Sequence, residues 1–129
     1  MNQQAHETYL RMQVNTAAPW ELTTLLYNGC IKFMKQALEG IHNKDFEMKN
    51  INIKKATNII NELQYTLDKK YEVSNSLSSI YDYLLQKLFV ANMKLDAASL
   101  AECIELMTDL KDAWVQSMKQ LPASAKVRS

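Results

Sequence analysis

Turn-forming residues are almost missing from this chain, which has two glycines and two prolines in 129 residues. Strands joined by tight turns need many more, so a sheet-based architecture is excluded and an all-α one is expected. Cysteine is equally scarce, at two. Cys30 and Cys103 both fall on apolar positions of helical patterns, where buried reduced thiols are expected in place of a disulfide. Charge of one sign is also lacking. A net charge of +1 supplies no broad field for nucleic acid or an anionic membrane, so neither is expected as a partner. No stretch approaches the roughly 18 apolar residues of a membrane span. The first fifteen residues, His6, Glu7 and Arg11 among them, lack the apolar centre of a signal peptide. The expected location is therefore the cytoplasm, without membrane insertion.

Apolar residues are abundant, at 47% with 22% charged, and that balance fits one globular domain with a single core. Their spacing is helical. From Pro19 to Ile41, Leu22, Leu25, Leu26, Gly29, Cys30, Phe33, Ala37 and Ile41 follow steps of three and four and share a face. Pro19 suits the first helical position, Glu21 complements the dipole, and Gly40 with the polar run His42 to Asp45 predicts the stop. Asp45 is the expected N-cap of a second helix with Ile53, Ala56, Ile60, Leu63 and Leu67 on its seam, and Lys49, Lys54 and Lys55 on a solvated face. Ser74, Asn75 and Ser76 are expected to cap a third, carrying Leu77, Tyr81, Leu84, Leu88, Ala91 and Leu95. Ile80, Leu85, Phe89, Val90 and Met93 give it further apolar sides, which predicts the most buried helix. Asp96 then caps a fourth, with Leu100, Cys103, Met107, Leu110, Trp114 and Leu121, and Pro122 ends it.

The expected fold is an antiparallel up-down four-helix bundle over residues 19–121, with helices at about 19–41, 46–70, 75–95 and 97–120. Residues 1–18 are expected to form a loosely docked or mobile N-terminal segment, and residues 122–129 a flexible tail.

Catalytic chemistry has no evident home in this pattern. His6 and His42 lack the Glu three residues away that a bundle metal site uses, and the Glu102/Glu105 and Asp109/Asp112 pairs fall opposite the apolar seam. His42 sits at a helix end, where phosphotransfer is disfavoured, and neither a nucleophile elbow nor a phosphate loop is present. The chain is read as a non-enzyme without metal or cofactor. What it has is apolar surplus. Trp20, Tyr27, Ile31, Leu38, Ile59, Ile80, Leu85, Phe89, Ile104 and Val115 lie outside the strict seams and together favour a groove for a partner. Met12, Met34, Met93, Met107 and Met118 add side chains that adapt to another chain or fill the core.

Four ordered segments carry a family resemblance. They are Tyr9, Gln13, Val14, Thr16, Ala17 and Pro19 with Leu25, Leu26, Tyr27, Asn28 and Gly29; Ile59, Ile60, Leu63, Leu67 and Asp68; Leu77, Ile80, Tyr81, Asp82 and Tyr83; and Leu110, Asp112, Ala113 and Trp114. In that order the chain resembles the FliS-type flagellar export chaperones along nearly its whole length. It departs from the family's usual Ser at Ala18 and usual Asp at Asn28. The resemblance implies a chaperone that binds the C-terminal segment of flagellin, prevents premature polymerisation, and presents it to the flagellar export gate without ATP or cofactor. It also implies a tail that wraps the bundle in apolar grooves, and an N-terminal segment that covers part of that surface when flagellin is absent. Leu22, Tyr27, Ile31, Ile80, Leu85 and Phe89 are the expected groove residues. Tyr9, Met12 and Val14 are the expected lid or export-gate contact. A monomer or weak homodimer is expected, and the competing reading is an adaptor or dimeric regulator with no flagellin client.

Overall fold

The computed structural model describes residues 19–120. It contains α1 (Pro19–His42), α2 (Phe46–Tyr65), α3 (Glu72–Lys94) and α4 (Ala97–Lys119). Neighbouring contacts run α1 to α2, α2 to α3, α3 to α4 and α4 back to α1, so the helices close a ring in which α1 and α3 are diagonal. This is the expected four-helix bundle. The short connections and alternating directions put Pro19, the α2–α3 connection and Lys119 at one end, and the α1–α2 and α3–α4 turns at the other.

The two aspartate caps form as expected. Asp45 Oδ1 accepts from the Met48 amide at 3.1 Å, and Asp96 accepts from the Ser99 amide at 3.2 Å and the Ser99 hydroxyl at 2.8 Å. Each removes an orphan donor from a helix start. The start of α3 differs. It begins at Glu72 after Tyr71, with no side-chain cap, because the Ser74 hydroxyl turns back to donate to the Asp68 carbonyl at 2.6 Å. α2 is correspondingly shorter than its apolar pattern, ending at Tyr65 while Leu67 still packs on the core from the connection.

Gly40 is not the end of α1. It lies inside the helix, where a Cβ would stand 2.8 Å from the Lys49 nitrogen and 2.9 Å from the Asp45 carbonyl oxygen. The glycine lets the first turn of α2 approach α1. The left-handed position of that turn falls instead to Lys44 (φ 56°), and that of the α3–α4 turn to Leu95 (φ 53°). Leu95 is therefore the C-cap of α3 and exposed, where its spacing predicted a seam position.

The core joins all four helices through Cys30, Phe33, Met34 and Ala37, through Ile53, Ala56, Ile60 and Leu63, through Tyr81, Leu84, Leu88 and Ala91, and through Leu100, Cys103 and Met107. Both cysteines are free and buried. The buried set is densest on α1, whereas α3 leaves Val73, Tyr83, Phe89 and Met93 exposed, so α3 is not the most enclosed helix.

Lys49, expected on a solvated face, is buried. Its Nζ donates to Asn92 Oδ1 at 2.7 Å and to the Asn92 carbonyl at 3.3 Å. That carbonyl belongs to the last turn of α3, where no intrahelical donor is available, so a cation from α2 completes the C-terminus of its neighbour.

At the opposite end Trp114 Nε1 donates to the Trp20 carbonyl and to Thr24 Oγ1, each at 3.1 Å. This pins the last turns of α4 to the first turn of α1.

Candidate binding surface

The row Ser78, Asp82, Leu85, Phe89, Asn92 on α3 advances by four and three and so lies along one line of the helix. Both ends of that line are bonded to α2. Gln64 Nε2 donates to Asp82 Oδ1 at 2.7 Å and to the Ser78 carbonyl at 3.2 Å, and the Ser78 hydroxyl returns a bond to Gln64 Oε1 at 2.9 Å. Lys49 holds Asn92 at the other end. The row therefore follows the α2–α3 seam.

Between these polar clips stand Leu85, half-buried, and Phe89, 65% exposed. Met93, one turn beyond Phe89, is 66% exposed. Phe46 stands three residues before Lys49 on the facing side of α2 and is also exposed. A strip of apolar side chains thus runs over the seam in open solvent, which is what a partner's apolar face would cover.

The expected groove residues do not share this surface. Leu85 and Phe89 lie on it. Ile80 is half-buried and belongs to the row with Tyr83 and Lys87, which meets α4: the Tyr83 hydroxyl donates to Glu102 Oε1 at 2.8 Å, and Lys87 Nζ pairs with Glu102 Oε2 at 3.4 Å. Leu22 is half-buried near the start of α1.

Tyr27 and Ile31 are corrections. Both are buried core residues, and the Tyr27 and Tyr81 hydroxyl oxygens lie 2.7 Å apart across the bundle diagonal. Tyr27 looked like surplus because it lies outside the strict three-four seam of α1, and the Tyr81 hydroxyl that meets it is far away in sequence. Tyr9, Met12 and Val14 lie outside the described residues.

Electrostatics separate the interior from this rim. Burial pushes both phenols above their ordinary value, the Tyr81 bond opposing this at Tyr27 and the Tyr27 bond adding to it at Tyr81. Burial likewise raises the Cys30 thiol, and it pushes Cys103 up to about 12. Each thiol lies against a backbone carbonyl, Cys30 on Ala56 and Cys103 on Leu84. Protonated, shielded thiols are poor nucleophiles. On the surface the Tyr83 bond lowers Glu102, helped by Lys87. No group of three or more His, Cys, Asp or Glu among the described residues is placed to hold a metal ion, and no helix among them is long and apolar enough to cross a membrane.

The family model described as "Flagellar protein FliS" matches residues 1–121. The chain belongs to the FliS family. Among its FliS relatives, the flagellar secretion chaperone FliS of Bacillus subtilis is 46% identical over 117 residues, covering 91% of this chain and 88% of the relative. That of Campylobacter jejuni is 33% identical, covering 88% and 90%. That of Escherichia coli is 31% identical, covering 81% and 79%. A crystal structure of a flagellar chaperone from bacteria shares the fold, with a TM-score of 0.75 over 92% of this chain and 98% of that one at 18% identity.

Within the FliS resemblance, the structure gives Trp114 a positioning task at the bundle end and Tyr27 and Tyr81 a common hydrogen bond. Phe46 was the surface residue that sequence spacing missed, whereas Met93 was already among the adaptable methionines. Phe46 opens its helix, where a periodic pattern does not say whether a neighbour covers it.

Proposed function

We propose that this chain is a cytoplasmic flagellar secretion chaperone that holds the C-terminal segment of flagellin, prevents its premature polymerisation and passes it to the flagellar export gate. It does so without catalysis or cofactor. The observation that carries the reading is the exposed apolar strip of Leu85, Phe89, Met93 and Phe46 over the α2–α3 seam. An amphipathic flagellin segment that lays its apolar face there loses the surface it needs for filament contacts. Each large side chain buried contributes about 1.5–3 kcal/mol. Ordering the segment costs about 2–5 kcal/mol, so several such side chains must act together.

Residues 1–18, with Tyr9, Met12 and Val14, serve as the lid that flagellin displaces, and Tyr9 also contacts the export gate. Removing residues 1–15 changes flagellin affinity under this reading; an unchanged dissociation constant eliminates the lid.

The test of the main reading is a sizing column loaded with the chain and purified flagellin. A stoichiometric complex is expected with intact flagellin, and none with flagellin lacking its C-terminal segment. Phe89→Asp weakens the complex about tenfold or more while the circular dichroism spectrum stays helical. A self-dimer indifferent to flagellin, and broken by Phe89→Asp, would replace the chaperone reading with the dimeric regulator.

A further inference from the structure

The opposite side of the ring, where α1 meets α4, has a different character. A cleft of about 440 Å³ opens there, lined by Asn28, Ile31, Lys32, Lys35, Gln36, Thr108 and Lys111. Its lining contains three lysines and no carboxylate. Among the described residues neither Lys35 nor Lys111 forms an ion pair. The whole chain carries a net charge of only +1, so this concentration of positive charge is local. Its floor is the thin visible edge of Ile31, 8% exposed, and the Asn28 and Gln36 amides can each donate and accept.

We propose that this cleft docks an acidic peptide segment of a partner protein. Charge complementarity selects the occupant: Lys35 and Lys111, without ion pairs of their own, stand at a carboxylate-free lining and attract glutamate and aspartate side chains. The remaining lining favours a peptide over a compact anion. Side-chain amides match the alternating donors and acceptors of a main chain, and the apolar floor takes one aliphatic side chain between acidic ones. The cleft is also much larger than a single inorganic anion requires. Because the ring places the α1–α4 and α2–α3 seams on opposite sides, an acidic segment can bind here while the apolar strip is occupied. The inference does not rest on the flagellin reading, and its test contains no flagellin.

The experiment uses the full chain and a rhodamine-labelled short peptide of glutamates flanking one leucine, followed by fluorescence anisotropy at low ionic strength. Saturable binding is expected, and it weakens steeply as salt is raised. Lys35→Glu with Lys111→Glu weakens it about tenfold, whereas Lys54→Glu, on an exposed face of α2, changes it less than about twofold. If the double reversal lowers the helical signal, Lys35→Gln with Lys111→Gln replaces it, with about a threefold loss expected. The proposal is overturned by absent saturable binding, by equal losses in the Lys54 variant, or by inorganic phosphate displacing the peptide at comparable concentration, which would indicate a small-anion site.

Discussion

The α1–α2 seam and the α2–α3 seam share a helix, yet they are built by opposite means. At the first, glycine allows backbone to approach backbone: Gly40 meets the first turn of α2, and a Cβ at Gly29 would only touch Ile59 Cδ1 at 3.4 Å. Phe33 lies buried there under the Lys55 ammonium, 5.0 Å from the ring centroid. At the second, two polar clips, Lys49 with Asn92 and Gln64 with Ser78 and Asp82, hold the ends while Phe89 stands in water between them. The first seam spends its apolar surface on folding. The second keeps part of its apolar surface in reserve, and the clips let it do so without losing register.

Substitutions can break or sharpen that contrast. Ile60→Ala, in the fully buried heart of α2, leaves a cavity in the core that joins the helices, and urea unfolding should show a loss of about 2–5 kcal/mol. Gly40→Ala forces a methyl into backbone that cannot move aside, and the expected loss is about 1–3 kcal/mol. A neutral or stabilising result would mean that the close approach on the α1–α2 side is not required.

Across the diagonal, Tyr27→Phe strands the Tyr81 hydroxyl and should cost about 1–3 kcal/mol, whereas combining it with Tyr81→Phe should recover most of that loss. Additive single losses would show that the two hydroxyls are not coupled.

Alkaline pH probes the same interior. The buried Cys103 thiol is raised from 9.0 to about 12, so its contribution is complete below pH 9 and disappears as pH climbs, because the unfolded chain ionises first. Unfolding measured at about pH 8 and pH 10 should differ by at least about 1.4 kcal/mol, and Cys103→Ala should remove that share. Smallest of all, Phe89→Asp should leave stability within about 0.5 kcal/mol. A loss comparable with that of Ile60→Ala would place Phe89 in the core and erase the difference between the two seams.

The parts of this architecture that the sequence displayed were local ones. Helical steps of three and four marked all four helices, and Asp45 and Asp96 announced their caps because a capping side chain bonds within its own first turn. The start of α3 was misread for a long-range reason: Ser74 looked like a cap, but its hydroxyl is taken by the carbonyl of Asp68. Lys49 gave no sign of burial, since its partner Asn92 lies on another helix. On the candidate surface, Leu85 and Phe89 stand where their surplus suggested, while Tyr27 and Ile31, expected beside them, are buried in the core. Periodicity gives the direction of a side chain, but the width of the stripe that neighbours will cover depends on how closely they pack.

The bond from Trp114 to Trp20 has a consequence for how the molecule can be handled. Because it fastens the start of α1 beside the last turns of α4, Pro19 and Lys119 mark the same pole of the cylinder. A pull applied at Pro19 or at Lys119 therefore acts on the bundle at that pole, and the turns at Lys44 and Leu95 point away from it.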